Sequence, residues 1–148
     1  MIIVYTPAGG GEPEQYDQRD LLVSEASIVS RTIDKTWGEI KQGLGEEDLD
    51  SMRGIVWVLK KRHNPTLRFK DFDPGVDDMS TRFDKREIVD YVRNAVAVRA
   101  SEPDVTMEQI AHILRELPDA AADPEHARAT IAELTAEGKD PAPVDLPE

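Results

Sequence analysis

Cysteine is absent from the 148 residues, which excludes disulfides and thiolate metal sites and gives no sign of an oxidising compartment. Aromatic residues make up only 5% of the chain, too few for a large aromatic core. No window approaches the roughly 18 apolar residues that a membrane span needs. The amino-terminal "MIIVYTPAGGG" has a short apolar stretch and no basic flank, unlike a secretory leader. These absences together point to the cytosol. Positive charge is also scarce: 30 acidic side chains face 18 basic ones, a net of −12. Such a surface repels nucleic acid and anionic membranes unless a local basic patch intervenes.

The length suits one ordinary core, whereas two independent domains would each be marginal. A single compact domain over residues 1–138 is therefore expected, followed by a tail. Residues 1–72 hold 12 acidic and 10 basic side chains, and residues 73–148 hold 18 and 8, so the second half carries nearly all the acidity. Its end, "KDPAPVDLPE" at 139–148, combines prolines with acid and lacks apolar periodicity, the composition of a flexible, disordered tail.

The element pattern predicts a mainly α fold with a small N-terminal β-hairpin. "MIIVYTP" has strand character, Gly9 to Gly11 form a turn, and "EPEQYD" returns as a second strand, giving a hairpin over 1–17. A first helical group over 24–62 follows. Its first helix runs from Ser24 to Ile33, with Ile28 and Val29 inward. Its second opens on a capping box of Thr36 and Glu39 and stops at Gly45. Beyond Pro65, "TLRF" reads as a short extended piece. A second helical group spans 84–138: a helix from Asp84 with Ile88, Val89, Val92, Ala95 and Val96 inward, then a helix opened by a Thr106 and Gln109 capping box, with Val105 stapled to Ile110. Ile110, Ile113, Leu114 and Leu117 form that helix's apolar face. Asp123 and Pro124 open a last helix through Ala127, Ile131 and Leu134, ended by Gly138.

The stretch "DSMRGIVWVLKKRHNPTLRFKDFD", residues 50–73, poses the main question. An apolar helix, roughly Glu47 to Arg62, runs straight into the chain's only concentrated positive charge. Leu49, Met52, Val56 and Leu59 recur at spacings of 3, 4 and 3, one ordinary buried stripe. At 100° per residue Trp57 lies about 160° from the centre of that stripe, so the last turns are apolar on nearly every side. Such a helix is either sandwiched inside the fold or keeps a face for a partner.

Catalytic motifs are missing. "DFDPGVDDM" places Asp71, Asp73 and Asp77 as in a calcium loop, yet Val76 occupies the required glycine position and Arg82 the bidentate glutamate position. A solvated acidic turn is the better reading. The glycines at 9 to 11, 43 and 45 lack the lysine and hydroxyl of a phosphate loop. His63, His112 and His126 show no ligand spacing, and no serine sits in a nucleophile elbow. Neither an enzyme nor a cofactor is expected.

Binding remains, with two readings of the central stretch. Trp57 is core in the first, with Lys60, Lys61 and Arg62 complementing the helix dipole; burial is the usual fate of tryptophan and this reading carries more weight. In the second, Trp57 and Val58, the basic cluster Lys60, Lys61 and Arg62, and the following Phe69 and Phe72 form an exposed recognition surface. If Trp57 is buried, a partner-binding face is to be sought around Val92 to Val98 or Ile110 to Leu117. Nucleic acid is an unlikely partner, because aromatics are not interleaved with the basic run.

The succession "LLVSEASIVSRTIDKTWGEIKQGL" and "EEDLDSMRGIVWVLKKRHNPTLRFKDFD" resembles tail assembly chaperones of long-tailed, siphovirus-type bacteriophages, particularly those of actinobacterial hosts. The resembling order is a short helix with an acidic start, a Thr-Trp start, a helix with a central Trp and basic cluster, a proline, and an acidic turn containing Phe; it covers roughly residues 16–80. The resemblance implies a non-enzymatic helical protein that keeps the tape measure protein soluble until tail subunits polymerise around it, acting in the host cytoplasm and absent from the finished virion. It also implies a longer form made by ribosomal slippage, which would engage the major tail protein. Glu137, Gly138 and Lys139 can be encoded as GAG GGA AAA, which contains the slippery heptamer G GGA AAA. A permanent virion subunit of tail or connector is the alternative, and an acidic nucleic-acid mimic ranks below it. Oligomeric state is open.

Overall fold

A computed structural model describes residues 1–137. Helices take up 59% of the chain, in agreement with the mainly α expectation. A single domain over 1–138 was expected; the chain divides at Arg82 and Phe83 into two compact units, each with its own apolar cluster. The predicted tail, the Gly138 stop and the Gly138–Lys139 slippage position lie outside the described residues.

The first unit pairs a small sheet with three helices. Strands β1 (Ile2–Tyr5) and β2 (Glu14–Asp17) form the expected hairpin. A third strand, β3 (Met79–Arg82), lies antiparallel on the other side of β1, so the order is β2-β1-β3. That strand was not anticipated, and the predicted extended "TLRF" is instead a turn entering a 3-10 segment at Phe69–Asp71. Helices α1 (Val23–Ile33), α2 (Trp37–Gly45) and α3 (Leu49–Lys60) follow the predicted order, with the Thr36–Glu39 capping box in place.

α3 is the post of this unit. Met52, Ile55, Val56, Trp57, Val58 and Leu59 are all buried, together with Ile3 of β1, Val29 of α1, and Ile40 and Leu44 of α2. Leu49 departs from the predicted stripe and is 46% exposed. α1 and α3 cross closely at Gly54, where an added Cβ would meet Val29 Cγ1 at 2.7 Å.

Asp48 organises the α2–α3 corner. Its carboxylate accepts from the Ser51 N–H (3.0 Å), the fully buried Ser51 hydroxyl (2.6 Å) and the Lys35 ammonium (2.7 Å). Gly43 allows this approach, since a Cβ there would sit 2.9 Å from Ser51 Oγ. The hydrogen bonds from Lys35 and Ser51 hold the Asp48 carboxyl below its ordinary range against a smaller opposing effect of burial. Asp48→Ala removes the α3 cap and strands the Ser51 hydroxyl, and is expected to cost about 2 kcal/mol in denaturant unfolding at neutral pH. A depressed native pKa adds stability above the unfolded value of about 3.9 and loses it as pH falls through the native one. The parent should therefore lose stability more steeply than the variant as pH falls below about 4.

The second unit is helical: α4 (Lys85–Ser101), α5 (Met107–Leu114), a 3-10 turn at Leu117–Ala120 and α6 (Pro124–Glu137). Asp84 and Glu87 make a capping box on α4, and Thr106 and Gln109 make the predicted one on α5. Phe83 is tied to the 3-10 turn by a short parallel bridge, its N–H donating to Ala120 and its C=O accepting from Ala122, both at 2.9 Å. The core contains Ile88, Val92, Ile110, Leu114, Leu117, Ala121 and Ala127. Ala95 and Val96 are half-buried against it, and Val89, expected inward with them, is also half-buried but not part of this packing. Among the described residues no helix is long and apolar enough to cross a membrane.

Candidate partner-binding site

The structure answers the question posed by residues 50–73 in favour of burial. Trp57 is 5% exposed, Val58 3% and Phe72 6%, so none of the three belongs to an exposed recognition surface. The Trp57 indole donates to the Leu67 carbonyl at 3.0 Å and packs edge-on against Phe69 with ring centroids 5.3 Å apart. Phe69 is half-buried rather than presented to a partner. Arg53, which the sequence reading passed over, holds that segment from the same face of α3. Its guanidinium donates to the carbonyls of Phe72 (2.7 Å) and Phe69 (2.8 Å) and lies 3.9 Å over the Phe69 ring. Its one signal in the sequence is its place, four residues before Trp57 in an otherwise apolar helix.

Two of the three basic side chains pair with carboxylates of the chain, and the third lies over a ring. Lys60 pairs with Glu14 of β2 at 3.2 Å and faces the rings of Tyr5, Tyr16 and Phe72. Lys61 lies 5.0 Å over the Trp57 ring. Arg62 grips both carboxylate oxygens of Glu25 at 2.8 and 2.6 Å and also donates to the Asp20 carbonyl. The Arg62 hydrogen bonds pull the Glu25 carboxyl below its ordinary range. Burial tends to raise the Glu14 carboxyl, but hydrogen bonds from Tyr16 and Lys60 outweigh it and bring the group down. The positive charge at the end of α3 therefore fastens β2 and the start of α1 to the central helix. The charges of Lys60 and Arg62 are thus engaged by carboxylates of the same chain, where the sequence had offered them to acidic partner flanks.

The other predicted location fares differently. α4 and α5 bring Tyr91, Asn94, Ala95, Val98, Ile110 and Ile113 together around a groove of about 370 Å³. Tyr91 is 42% exposed, Val98 45% and Ile113 54%. Ile113 was expected in the core with Ile110 and Leu114; it sits on the outer side of α5 because a two-turn helix packs along one line only, which Ile110 and Leu114 occupy. Tyr91 has no such precedent in the sequence reading, although its position beside the Ile88–Val92 stripe was a signal. A second apolar groove, at Leu21, Leu22, Val23, Ala26 and Trp37, also carries Ser27, Ser30 and Arg31 and is the more polar of the two.

In the "DFDPGVDDM" turn, the Asp78 carboxylate accepts from the Gly75 N–H at 2.8 Å and so closes the turn on itself. Among the described residues no group of three or more His, Asp or Glu side chains converges on a point that would hold a metal ion. Comparison with protein-family models, curated proteins and solved structures finds no match to this chain.

Proposed function

We propose that this chain is a bacteriophage tail assembly chaperone that binds helical segments of the tape measure protein and keeps them soluble for tail tube polymerisation. The resemblance over residues 16–80 supports the class. The α4–α5 groove is the observation that carries the binding mode. Two helices flank an open apolar channel with a single amide, Asn94, in its lining, the form in which an amphipathic client helix is received. Residues 83–148 carry 15 acidic and 7 basic side chains. Mutual repulsion at that charge disfavours self-association through the groove and leaves it open to a client. The first unit, with Lys60 and Arg62 paired internally, then serves as scaffold. A longer form extended beyond Lys139 would add a contact to the major tail protein.

Co-expression with the adjacent tape measure gene tests this reading. The soluble fraction of the tape measure protein should rise, and both chains should be recovered in one pull-down. Unchanged solubility with no co-purification at low and moderate salt would remove the chaperone function, and recovery of the chain in purified virions at subunit stoichiometry would assign it to the permanent structure instead.

A further inference from the structure

The two edges of the small sheet are finished differently. On the β3 side, Thr6 N–H donates to Asp78 C=O at 2.8 Å, and the register pairs Val4 with Ser80 and Ile2 with Arg82. Antiparallel ladders alternate, so Met79 and Thr81 turn their main-chain groups outward. Glu47 closes that edge: its carboxylate accepts from the Thr81 N–H at 3.1 Å and from the Thr81 hydroxyl at 3.3 Å. Glu47 does so from a left-handed backbone conformation, φ 54°, which disfavours a residue with a Cβ by roughly 1–2 kcal/mol.

Among the described residues no carboxylate closes the β2 edge in this way. Gln18 N–H reaches Met1 C=O at 3.4 Å, and the register pairs Ile3 with Tyr16 and Tyr5 with Glu14. By the same alternation Gln15 and Asp17 turn their main-chain N–H and C=O groups away from β1. β2 is the outer strand of the sheet, and no strand among the described residues lies beyond it. Beside it runs a groove of about 530 Å³ in which Tyr16, Leu59, Leu67 and Phe72 meet the carboxylate-paired cations Lys60 and Arg62. The two sides of the edge differ in chemistry. By strand alternation the Tyr16 side chain lies on the groove side and those of Gln15 and Asp17 on the other, where Asp17 accepts from the Arg19 N–H at 2.9 Å and Glu12 is exposed just before the strand.

We propose that the β2 edge receives an extended basic segment of another protein, added antiparallel as a fourth strand. Its apolar side chains would alternate into the groove and its lysine or arginine side chains would lie along Asp17 and Glu12. Acidic side chains on a short edge are a known defence against pairing with another copy of the same strand. Here the same charge gives the edge its selectivity, since it repels a second β2 and attracts a strand of opposite sign. The site belongs to the first unit and is independent of the α4–α5 groove, so the failure of either leaves the other standing.

The test is a titration of the full, 15N-labelled chain with an eight-residue peptide of alternating lysine and valine. Saturable shifts and slowed hydrogen exchange are expected at the Gln15 and Asp17 amides. Glutamate in place of lysine should weaken binding at least tenfold, and methylation of the main-chain nitrogen of every lysine should abolish it, because those N–H groups face β2 in the antiparallel pairing. Gln15→Pro should also abolish binding without unfolding the sheet, since the N–H it removes points outward. Equal binding of the methylated peptide or the glutamate peptide, shifts spread over acidic residues with no protection at Gln15 and Asp17, or no binding at all would each overturn the proposal. Should Gln15→Pro fail to fold, the methylated peptide still decides.

Discussion

Trp57→Ala is expected to destabilise the first unit by about 3–5 kcal/mol, the usual cost of truncating a buried tryptophan. The ring contributes more than area. Its N–H satisfies the Leu67 carbonyl, its edge seats Phe69, and its face carries the Lys61 ammonium. Removing it leaves a cavity beside α3 and loosens the 64–72 segment, which the Arg53 bonds to the carbonyls of Phe69 and Phe72 and the packing of Phe72 against Tyr5 would still hold. Against a typical domain stability of about 5–15 kcal/mol, such a loss moves the unfolding midpoint markedly. Trp37 is the only other tryptophan and lies in the same unit, so its fluorescence reports the transition in the variant. A midpoint equal to the parent's would contradict the placement of Trp57 in the core.

What the sequence made legible was chiefly local. Capping boxes at Thr36 and Thr106 are four-residue patterns whose partners are fixed by helix geometry, and both occur as read. The β1–β2 hairpin is a neighbour pairing announced by its glycine turn. β3 was missed because "MSTR" has no apolar alternation and pairs with a strand at the far end of the unit, a choice set by tertiary contacts. The fate of the basic cluster was equally hidden. Lys60 and Arg62 find Glu14 and Glu25, and nothing in a linear reading distinguishes those carboxylates from the others on an acidic chain. The division into two units left a trace in the change of charge balance near residue 72, but composition does not reveal that Ile88 and Val92 pack with Ile110 and Leu114 rather than with α3. Within helices, period alone overstated burial: Leu49 and Ile113 lie on predicted stripes and are exposed.

Ile113→Asp is expected to separate folding from client binding. The side chain is 54% exposed, so the change should shift stability by no more than about 0.5 kcal/mol. In the groove, however, it replaces an apolar contact with a charge facing an incoming apolar helix. Loss of one buried aliphatic contact is worth about 1.5–3 kcal/mol, or at least a tenfold weaker complex. Val98 lines the same groove from α4, and Val98→Asp should behave alike.

The decisive measurement is the soluble fraction of the tape measure protein when co-expressed with the parent chain and with Ile113→Asp, at matched levels of the two and with melting temperatures of both recorded. The α4–α5 groove predicts that the parent keeps the client in solution and that the variant, folded and equally abundant, leaves it in the pellet. A variant that melts like the parent and holds the client equally well would contradict the groove as the client-binding face.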